Sequence, residues 1–389
     1  MKKSKTLLSL FSVILCALLM FTVFSSSAFK DTAVADVKLQ GVGDKIYRFG
    51  ENILEAIYNK NENEPIEKNT QKTNDSVYLG GYPIGLKLYA DGVIVVGTEA
   101  VDTSTGDVNT AEKAGILIGD VIKKVNGVKV STNAEVSQYI EISNGEELEF
   151  EIMRGKEILK VTFRAAFSVS EGKYKAGLWI RDSSAGIGTV TFCTQEGMFA
   201  SLGHAVCDID TKEVLPISQG ECTNVNLTGF IKGGNGVTGE LCGFLESESI
   251  GVIYDNGDIG VYGEFNSLPN GNLIEIAQAN EIKIGDASIF TTLENGATVE
   301  YKIEIVSVDF DSKENKNLVL KVCDKNLIEK SGGIIQGMSG SPIVQNGKLI
   351  GAVTHVFLDD STGGYGIFAE TMLLKLDSIY NYTSYKFAS

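Results

Sequence analysis

The segment GMSGSPIVQNGKLIGAVTHVF, residues 337–357, places Ser339 between two glycines and follows it with a hairpin signal. A serine hydroxyl attacks a carbonyl only when a base takes its proton and backbone donors face the developing oxyanion. Glycines permit the tight backbone conformation that points N–H groups into one place. The segment therefore predicts a nucleophile at Ser339, with Ser341 as the alternative. It also predicts an oxyanion hole made by the N–H groups of Gly337 and Ser339.

The residues after Ser339 predict an ordered series of strands. The strand PIVQ, the turn Asn346–Gly347, the strand KLIGAVTHVF, the strand GGYGIFAE and the closing helix TMLLKLDSIYNY follow one another. This order is similar to that after the nucleophile of chymotrypsin-type peptidases. The resemblance implies that Thr354 and His355 line the substrate groove and that Gly366 forms a wall of the specificity pocket.

The general base must be one of only two histidines in the chain. His204 lies in MFASLGHAVCDID, where an apolar strand ends at Gly203 and exposes the imidazole. His355 lies on the strand that is expected to flank the substrate. We therefore expect His204 to be the base, an order of histidine before serine that the chymotrypsin type shares.

Residues 82–166 resemble a PDZ domain. The specific part is AGILIGDVIKKVNGVKV, which combines two glycines, an aspartate and an Asn-Gly turn, and a hairpin is also predicted at Asp91–Gly92. A PDZ domain adds a peptide as an extra strand and captures its terminal carboxylate with backbone N–H groups. The resemblance assigns that capture to Ile84, Gly85 and Leu86.

Composition excludes several classes of function. The chain of 389 residues has 50 acidic and 34 basic residues, a net charge of −16. This charge argues against nucleic acid as the main partner, because phosphate binding requires a basic surface. No metal-ligand spacing and no nucleotide fingerprint occurs, so we expect neither a metal nor another cofactor.

The start of the chain predicts export. Lys2, Lys3 and Lys5 precede an apolar run at 7–24 and small residues, so 1–29 is either a signal peptide or a membrane anchor. Residues 30–81 are predicted to be a polar tether, because stretches such as NKNENEPIEKNTQKTNDS cannot form a packed core. We expect the rest of the chain to be exported.

The export signal, the tether, the PDZ domain, LGHAV and GGIIQGMSGSPIVQNGKLIGAVTHVF together resemble the stage IV sporulation protein B peptidase family. That resemblance implies a mainly β chain in which residues 167–389 form a chymotrypsin-like double β-barrel. It further implies self-cleavage after export and cleavage of a membrane-bound inhibitor of an intramembrane metalloprotease. This cleavage would release a sporulation sigma factor, and its site would be the space between the forespore and mother-cell membranes.

The third catalytic residue has four candidates. The family resemblance points to Asp324, which would orient the imidazole of the base. In the chymotrypsin layout the orienting aspartate precedes the serine segment by a long stretch, so Asp255, Asp258 and Asp309 are alternatives. The choice among them is open at the level of sequence.

The segment SGGIIQ before the serine implies an apolar specificity pocket. Gly332, Gly333 and Ile334 occupy the place of the pocket floor in chymotrypsin-type enzymes, and none carries a charge. We expect the residue before the cleaved bond to be small or apolar, with further selectivity supplied by the PDZ domain. Two other classes of protein compete with the peptidase. One is an inactive peptidase-like scaffold that binds envelope proteins through its PDZ domain, and the other is an envelope adaptor in which GMSGSP is a plain turn.

Overall fold

The structure, a computed structural model, describes residues 76–234, 236–294 and 296–387. The predicted export segment and most of the predicted tether lie outside these residues. The tether prediction is wrong at its end, because Ser76–Leu79 forms strand β1, in which Val77 is buried. No helix within the described residues is long and apolar enough to cross a membrane.

Six strands close into a first barrel because each one pairs with two neighbours. In chain order they are β2 (Pro83–Thr98), β11 (Leu178–Cys193), β12 (Met198–Ser201), β13 (Ile217–Ile231), β14 (Glu240–Gly257) and β15 (Gly260–Phe265). The order around the barrel is β2-β11-β12-β15-β14-β13, and the ring closes because β2 pairs with both β11 and β13. Strands β1 and β16 (Leu273–Glu275) extend the sheet beside the end of β11.

A second closed barrel contains the serine segment. Its strands are β17 (Gly285–Thr291), β18 (Val299–Val308), β19 (Leu318–Val322), β20 (Pro342–Gln345), β21 (Lys348–Val356) and β22 (Gly363–Phe368). A 3-10 helix (Ala279–Glu281) precedes it, helix α3 (Lys325–Ser331) follows β19, and helix α4 (Ala369–Phe387) follows β22. Two six-stranded barrels confirm the predicted chymotrypsin-like fold class.

A PDZ module lies between β2 and β11 in the chain. Its strands are β3 (Val101–Thr103), β4 (Gly106–Val108), β5 (Val121–Val125), β6 (Val128–Lys129), β7 (Glu147–Arg154), β8 (Glu157–Arg164), β9 (Ala166–Ser168) and β10 (Lys173–Lys175). Its helices are α1 (Thr110–Lys113) and α2 (Asn133–Ile142). Helix α2 begins with a capping box, because the Thr132 side chain accepts from the Glu135 N–H while the Glu135 side chain accepts from the Thr132 N–H.

Strands β2 and β11 belong to both the first barrel and the PDZ module. Residues 83–90 of β2 pair within the barrel, and residues 93–98 pair with β5 and with the start of β11. The PDZ module is therefore an insertion between the first two barrel strands. The predicted boundaries, 82–166 for the PDZ domain and 167–389 for the peptidase, are wrong because β2, inside the first range, and β11, inside the second, each belong to both parts.

The hairpin predicted at Asp91–Gly92 does not form. Strand β2 continues through these residues, and Gly92 adopts a φ of 113° that only glycine adopts without strain. Asp91 forms an ion pair with Lys123 of β5 at 2.6 Å. The glycine therefore marks the place where one strand passes from the barrel into the PDZ sheet.

The two Asn-Gly turns predicted in the PDZ segment and after the serine do form tight hairpin turns. Asn126 and Gly127 have φ values of 51° and 78°, and Asn346 and Gly347 have values of 51° and 77°. Two consecutive positive φ values define the turn that matches the twist of two-residue hairpins. The turn after the serine segment is thus as predicted.

A buried apolar cluster joins the two barrels. It contains Phe192 and Tyr262 from the first barrel, Leu349 and Ala352 from the second, and Met372 of helix α4. Burial of each large apolar side chain contributes about 1.5–3 kcal/mol to the free energy of folding. This cluster keeps the loops of the two barrels that carry His204 and Ser339 next to each other.

Ile84, Gly85 and Leu86 do not form the predicted carboxylate-binding loop. They lie in the barrel part of β2, where they pair with β11 on one side and where Gly85 and Leu86 pair with β13 on the other. All three are buried. Their backbone groups therefore already have partners, and no peptide strand can be added there.

We predict that Gly85→Val lowers the free energy of unfolding by about 1–3 kcal/mol through overpacking. A Cβ at Gly85 would lie 2.5 Å from Thr223 Oγ1 and 2.7 Å from Leu245 Cγ. Gly186→Val on the neighbouring strand is the control, because a Cβ there meets nothing within 4 Å. Urea unfolding measures both variants, and equal stability of the two would contradict this packing.

Candidate active site

Ser339 lies in the loop that joins helix α3 to strand β20. Its Oγ donates a hydrogen bond of 2.7 Å to the carbonyl oxygen of Thr354 on β21. The next residue, Gly340, donates its N–H to Val353 O of the same strand. Within the described residues, no hydrogen bond joins Ser339 to either imidazole. The serine is therefore held by the strand that was predicted to line the groove.

The two predicted oxyanion donors belong to peptide groups of fixed orientation. Gln336 O accepts from Leu241 N at 2.9 Å, and Met338 O accepts from Ser341 N at 2.9 Å. In a trans peptide the N–H points opposite to the carbonyl, so these bonds also fix the N–H groups of Gly337 and Ser339. Neither N–H has an acceptor among the described residues. Both donors are thus free to bind an oxyanion.

Glycine is required at position 337, and Ser341 is not a nucleophile. Gly337 has a φ of 93°, and a Cβ there would lie 2.9 Å from the Leu241 side chain. Ser341 is fully buried, so its hydroxyl is out of reach of a substrate. The structure therefore leaves Ser339 as the accessible hydroxyl of this loop.

His204 follows a sharp turn at the end of β12. Leu202 and Gly203 have φ values of 66° and 73°. The ring Nδ1 lies 2.8 Å from Ala205 O, and a carbonyl oxygen can only accept, so Nδ1 carries the proton. The other nitrogen, Nε2, therefore has a lone pair, as a general base requires.

Asn256 holds the loop that follows His204, and sequence reasoning missed it. Its Oδ1 accepts from Val206 N at 2.7 Å, while its Nδ2 donates to Val206 O at 2.9 Å and to Leu215 O at 3.0 Å. One side chain thus fixes both ends of the loop. The turn signal DNG at 255–257 marks the position in the sequence, but turn residues seldom reveal the loop that they bind.

His355 packs directly against His204. The ring centroids are 4.8 Å apart and the ring planes are tilted by 38°. The pKa of His355 is lowered to about 4, mainly because the ring is partly buried and also because His204 and Lys316 lie nearby. Burial also lowers the pKa of His204. The fold therefore brings both histidines of the chain, neutral near pH 7, to the strand that holds Ser339.

Asp324 does not contact either histidine. It is the N-cap of helix α3, where its carboxylate accepts from Asn326 N at 2.9 Å and from Leu327 N at 3.3 Å. It also accepts from Lys302 N. Aspartate is among the preferred N-cap residues because it satisfies free helix N–H groups. The structure therefore gives Asp324 a capping role, and the prediction that it orients the base is wrong.

The three alternative aspartates do not bind an imidazole either. Asp255 pairs with Lys375 at 3.0 Å, and Asp309 lies in the second barrel after β18. Asp258 is exposed on the β14–β15 turn. Burial raises the pKa of Cys207 in the His204 loop, and the negative charge of Asp258 raises it further. Among the described residues, no carboxylate is hydrogen-bonded to either histidine. The Ala205 carbonyl is the group that orients His204.

Gly366 and Gly364 both face strand β21, which was predicted to line the groove. A Cβ at Gly366 would lie 2.8 Å from Ala352 O and 2.9 Å from Ile343 Cδ1, both of which belong to the second barrel. At Gly364 it would lie 2.6 Å from His355 O and 2.9 Å from Ile334 Cδ1. Both glycines therefore contact the groove strand, and the pocket wall at Gly366 stays a prediction. The expectation of a small or apolar substrate residue stays a prediction.

The other predicted pocket residues pack against backbone. A Cβ at Gly332 would collide with Gly233 O, and a Cβ at Gly333 would collide with Ser361 O. Gly332 has a φ of 83° and ends helix α3 as its C-cap. These glycines permit close contact between loops, and Ile334 beside them is buried in the core of the second barrel.

The PDZ module has an open strand edge on β11 beside helix α2. Residues 178–181 of β11 pair with β2 alone among the described strands, and the Asn133 N–H at the start of α2 donates to Asp182 at 2.8 Å. Gly177, with a φ of 69°, precedes this edge, and Trp179 on it is 59% exposed. PDZ-type peptide addition requires such an edge next to a helix. The sequence signal was AGLWI, a glycine before an apolar strand.

Two family models match the chain. A model described as SpoIVB peptidase S55 matches residues 172–373, more than half of the chain. A model described as a PDZ domain matches residues 110–154. No curated protein matches the chain significantly. The first match includes both histidines and Ser339.

Solved protease structures match the chain at low similarity. The active form of Rv3671c protease from M. tuberculosis is 15% identical over 50% of this chain and 74% of that chain, with a TM-score of 0.32. The HtrA-type protease AlgW with a decapeptide is 16% identical over 52% of this chain and 55% of that chain, with a TM-score of 0.30.

We predict that phosphonate labelling of Ser339 has an acid limb with a midpoint below about pH 6.5, the ordinary imidazole pKa. Burial disfavours the charged ring and lowers the pKa of His204, so the base stays neutral where free imidazole is half protonated. The labelling rate measured from pH 4 to pH 8 tests the sign. A midpoint above about 7 would show that the histidine is stabilised as a cation.

Proposed function

The chain belongs to the SpoIVB peptidase S55 family and is a serine peptidase with a PDZ domain, and we propose that Ser339 is its nucleophile and His204 its general base. One observation carries the proposal. The only two histidines of the chain lie together beside the strand to which Ser339 is hydrogen-bonded, and two fixed backbone donors flank the same serine.

The first step of the proposed reaction is a rotation of the Ser339 hydroxyl. Its hydrogen bond to Thr354 O is exchanged for one to Nε2 of His204 when the substrate enters. A typical hydrogen bond contributes only about 0.5–1.5 kcal/mol net, so this rotation is a small part of the barrier. Catalytic hydrogen bonds commonly tighten only in the substrate complex.

The second step is attack on the substrate carbonyl. The Ser339 oxygen bonds to the carbonyl carbon, its proton passes to His204 Nε2, and the N–H groups of Gly337 and Ser339 receive the oxyanion. Removal of one such donor costs about 10²–10³ in rate in other serine peptidases. His204 then gives the proton to the leaving amine, and water repeats the sequence to release the acyl group.

Ala205 O takes the place that a carboxylate has in the usual triad. It fixes the same tautomer, because Nδ1–H donates to it at 2.8 Å. A neutral carbonyl stabilises the imidazolium less than a charged carboxylate does. We therefore propose a slow peptidase, a property that suits an enzyme that cleaves few molecules of a regulatory substrate.

The physiological role that we propose follows from the family. After export, the chain would cleave itself in the polar tether and then cleave a membrane-bound inhibitor of an intramembrane metalloprotease. The event would release a sporulation sigma factor, and its site would be the space between the forespore and mother-cell membranes. The apolar start of the chain and the family match support this role.

For the PDZ domain we propose binding of a peptide at the open edge of β11. The peptide would add as a strand along residues 178–181, with its terminal carboxylate at the backbone around Gly177. The open edge and the neighbouring helix α2 support this site. A domain that binds the substrate raises the local concentration of the scissile segment at the cleft.

A second candidate is a peptidase-like scaffold that does not cleave. The hydrogen bond from Ser339 Oγ to Thr354 O favours it, because the hydroxyl is directed away from the base. In a scaffold the PDZ domain would provide the whole function. A serine-directed phosphonate separates the two candidates, because a hydroxyl that cannot reach its base does not react.

We predict that Ser339→Ala abolishes self-cleavage in the tether, by roughly 10⁶-fold as for triad residues elsewhere. His204→Ala should be as severe, since nucleophile and base act as a unit. His355→Ala should lower the rate less, because that ring touches the base and not the serine. Incubation of the exported chain, with fragments followed by mass spectrometry, measures all three.

Folding controls accompany this comparison. Each variant must show the same urea midpoint as the parent within error, because an unfolded variant also fails to cleave. Asp324→Asn serves as the matched control, since it keeps an N-cap side chain. Self-cleavage that survives in Ser339→Ala would overturn the assignment of the nucleophile, and full loss in Asp324→Asn would restore that residue to the reaction.

We predict that decapeptides with random C-terminal residues and a free carboxylate change the fluorescence of Trp179, the single tryptophan of the chain. Leu178→Asp should weaken binding roughly tenfold or more, because its charge repels the carboxylate. Ile158→Asp on strand β8, where the side chain is 56% exposed, is the control. Equal binding of the amidated decapeptides would contradict carboxylate capture at this edge.

A further inference from the structure

Two buried threonines of β11 hold the serine loop of the other barrel. Thr189 Oγ1 donates to Gly337 O at 2.7 Å, and Thr191 Oγ1 donates to Gly340 O at 2.8 Å. Between them, Thr189 N donates to Ser339 O at 3.1 Å. Side chains two residues apart on a strand point to the same face, so one face of β11 meets the whole loop.

The Gly337–Met338 peptide is held on both sides, because Thr189 donates to Gly337 O at 2.7 Å and the Met338 N–H donates to Ile335 O at 3.1 Å. It lies between the two peptide groups that carry the oxyanion donors, so its orientation sets the angle between the two N–H vectors. Gly337 has a φ of 93° and lacks a Cβ, so its own sterics do little to prevent rotation of this peptide. Thr189 is the side chain that donates to Gly337 O within the described residues.

We propose that Thr189 is a positioning residue for the oxyanion hole of this peptidase, a role that rests on the proposed function of Ser339. The hydroxyl binds Gly337 O and thereby keeps the N–H groups of Gly337 and Ser339 directed at one point. Removal of the hydroxyl leaves a partly buried carbonyl without its donor, so that among the described residues the peptide is held only through its Met338 N–H. The stabilisation of the tetrahedral intermediate then falls, while binding of the ground-state peptide is unchanged.

Thr191 has a different place in the same contact. Gly340 O, which it binds, belongs to the Gly340–Ser341 peptide, whose N–H donates to Met338 O of the peptide that carries the Ser339 donor. The Gly340 N–H is already fixed by Val353 O. The two threonines are chemically alike and both buried, but Thr189 binds the peptide that joins the two donor peptides, whereas Thr191 acts on one donor peptide through a further hydrogen bond.

The experiment compares Thr189→Val, which keeps the shape and removes the hydroxyl, with Thr189→Ser, which keeps the hydroxyl. Thr291→Val is the matched control, because Thr291 is fully buried and its hydroxyl has no partner among the described residues. The rate of Ser339 labelling by a peptidyl diphenyl phosphonate is measured on the full chain. We also measure the affinity for a peptide aldehyde, which forms a tetrahedral adduct, and the affinity for the corresponding peptide alcohol.

Thr189→Val should lower the labelling rate and the aldehyde affinity by about 10- to 100-fold, as for a partly lost oxyanion donor. Its affinity for the alcohol should stay within about twofold, because the alcohol forms no oxyanion. Thr189→Ser should restore most of the rate, and Thr291→Val should match the parent. Thr191→Val should lose less than Thr189→Val.

If folded Thr189→Val is labelled at Ser339 as fast as the parent chain, the proposal is overturned. It is also overturned if the variant loses equal affinity for the aldehyde and for the alcohol. Thr189→Ala is measured in parallel, so that a Thr189→Val variant that fails to fold does not decide the outcome. If Thr189→Ser is as impaired as both of these variants, the hydroxyl has no positioning role. Absence of Ser339 labelling in the parent chain would instead overturn the proposed function.

Discussion

The two-sided pairing of strand β2 is the constraint on which the rest of the structure depends. Its first half pairs with β11 and β13 and so closes the first barrel. Its second half pairs with β5 and with the start of β11, which makes the PDZ module an insertion in that barrel. Because buried backbone groups need partners, neither half can separate without the loss of a ladder of hydrogen bonds.

Strand β11 extends this constraint to the candidate active site. One end of it is the open edge of the PDZ module, at residues 178–181. Its other end binds the serine loop through Thr189 and Thr191. At the last residue of the edge segment, Arg181 forms ion pairs with Asp208 and Asp210 of the loop that follows His204. A single strand thus contacts the ligand edge, the histidine loop and the serine loop.

The candidate site is built mainly from backbone groups. Carbonyl oxygens bind Ser339 Oγ and His204 Nδ1, and fixed peptide groups supply the oxyanion donors. Side chains such as Asn256 act on these segments from outside by binding their backbone. Backbone geometry is set by long-range pairing, so the chemistry of this site depends on the closure of both barrels.

The sequence by itself determined the local features. These features depend on neighbours a few residues away. They include the positive φ values of the Asn346–Gly347 turn, the capping box of helix α2 and the glycines around Ser339. The same local logic was available for Asp324, since it and Gly332 bracket a short helix. A family resemblance outweighed that signal, and the assignment failed.

Only the tertiary structure decided which strands pair and which side chains meet. Alternating apolar residues, as in PIGLKLYADGVIVV, fit a barrel strand and a PDZ strand equally well, because pleating has the same period in both. The placement of Ile84, Gly85 and Leu86 in the barrel, and the contact between His204 and His355, depend on pairings between distant segments. Such contacts leave no periodic signal in one sequence, since the partners are separated by whole domains of chain.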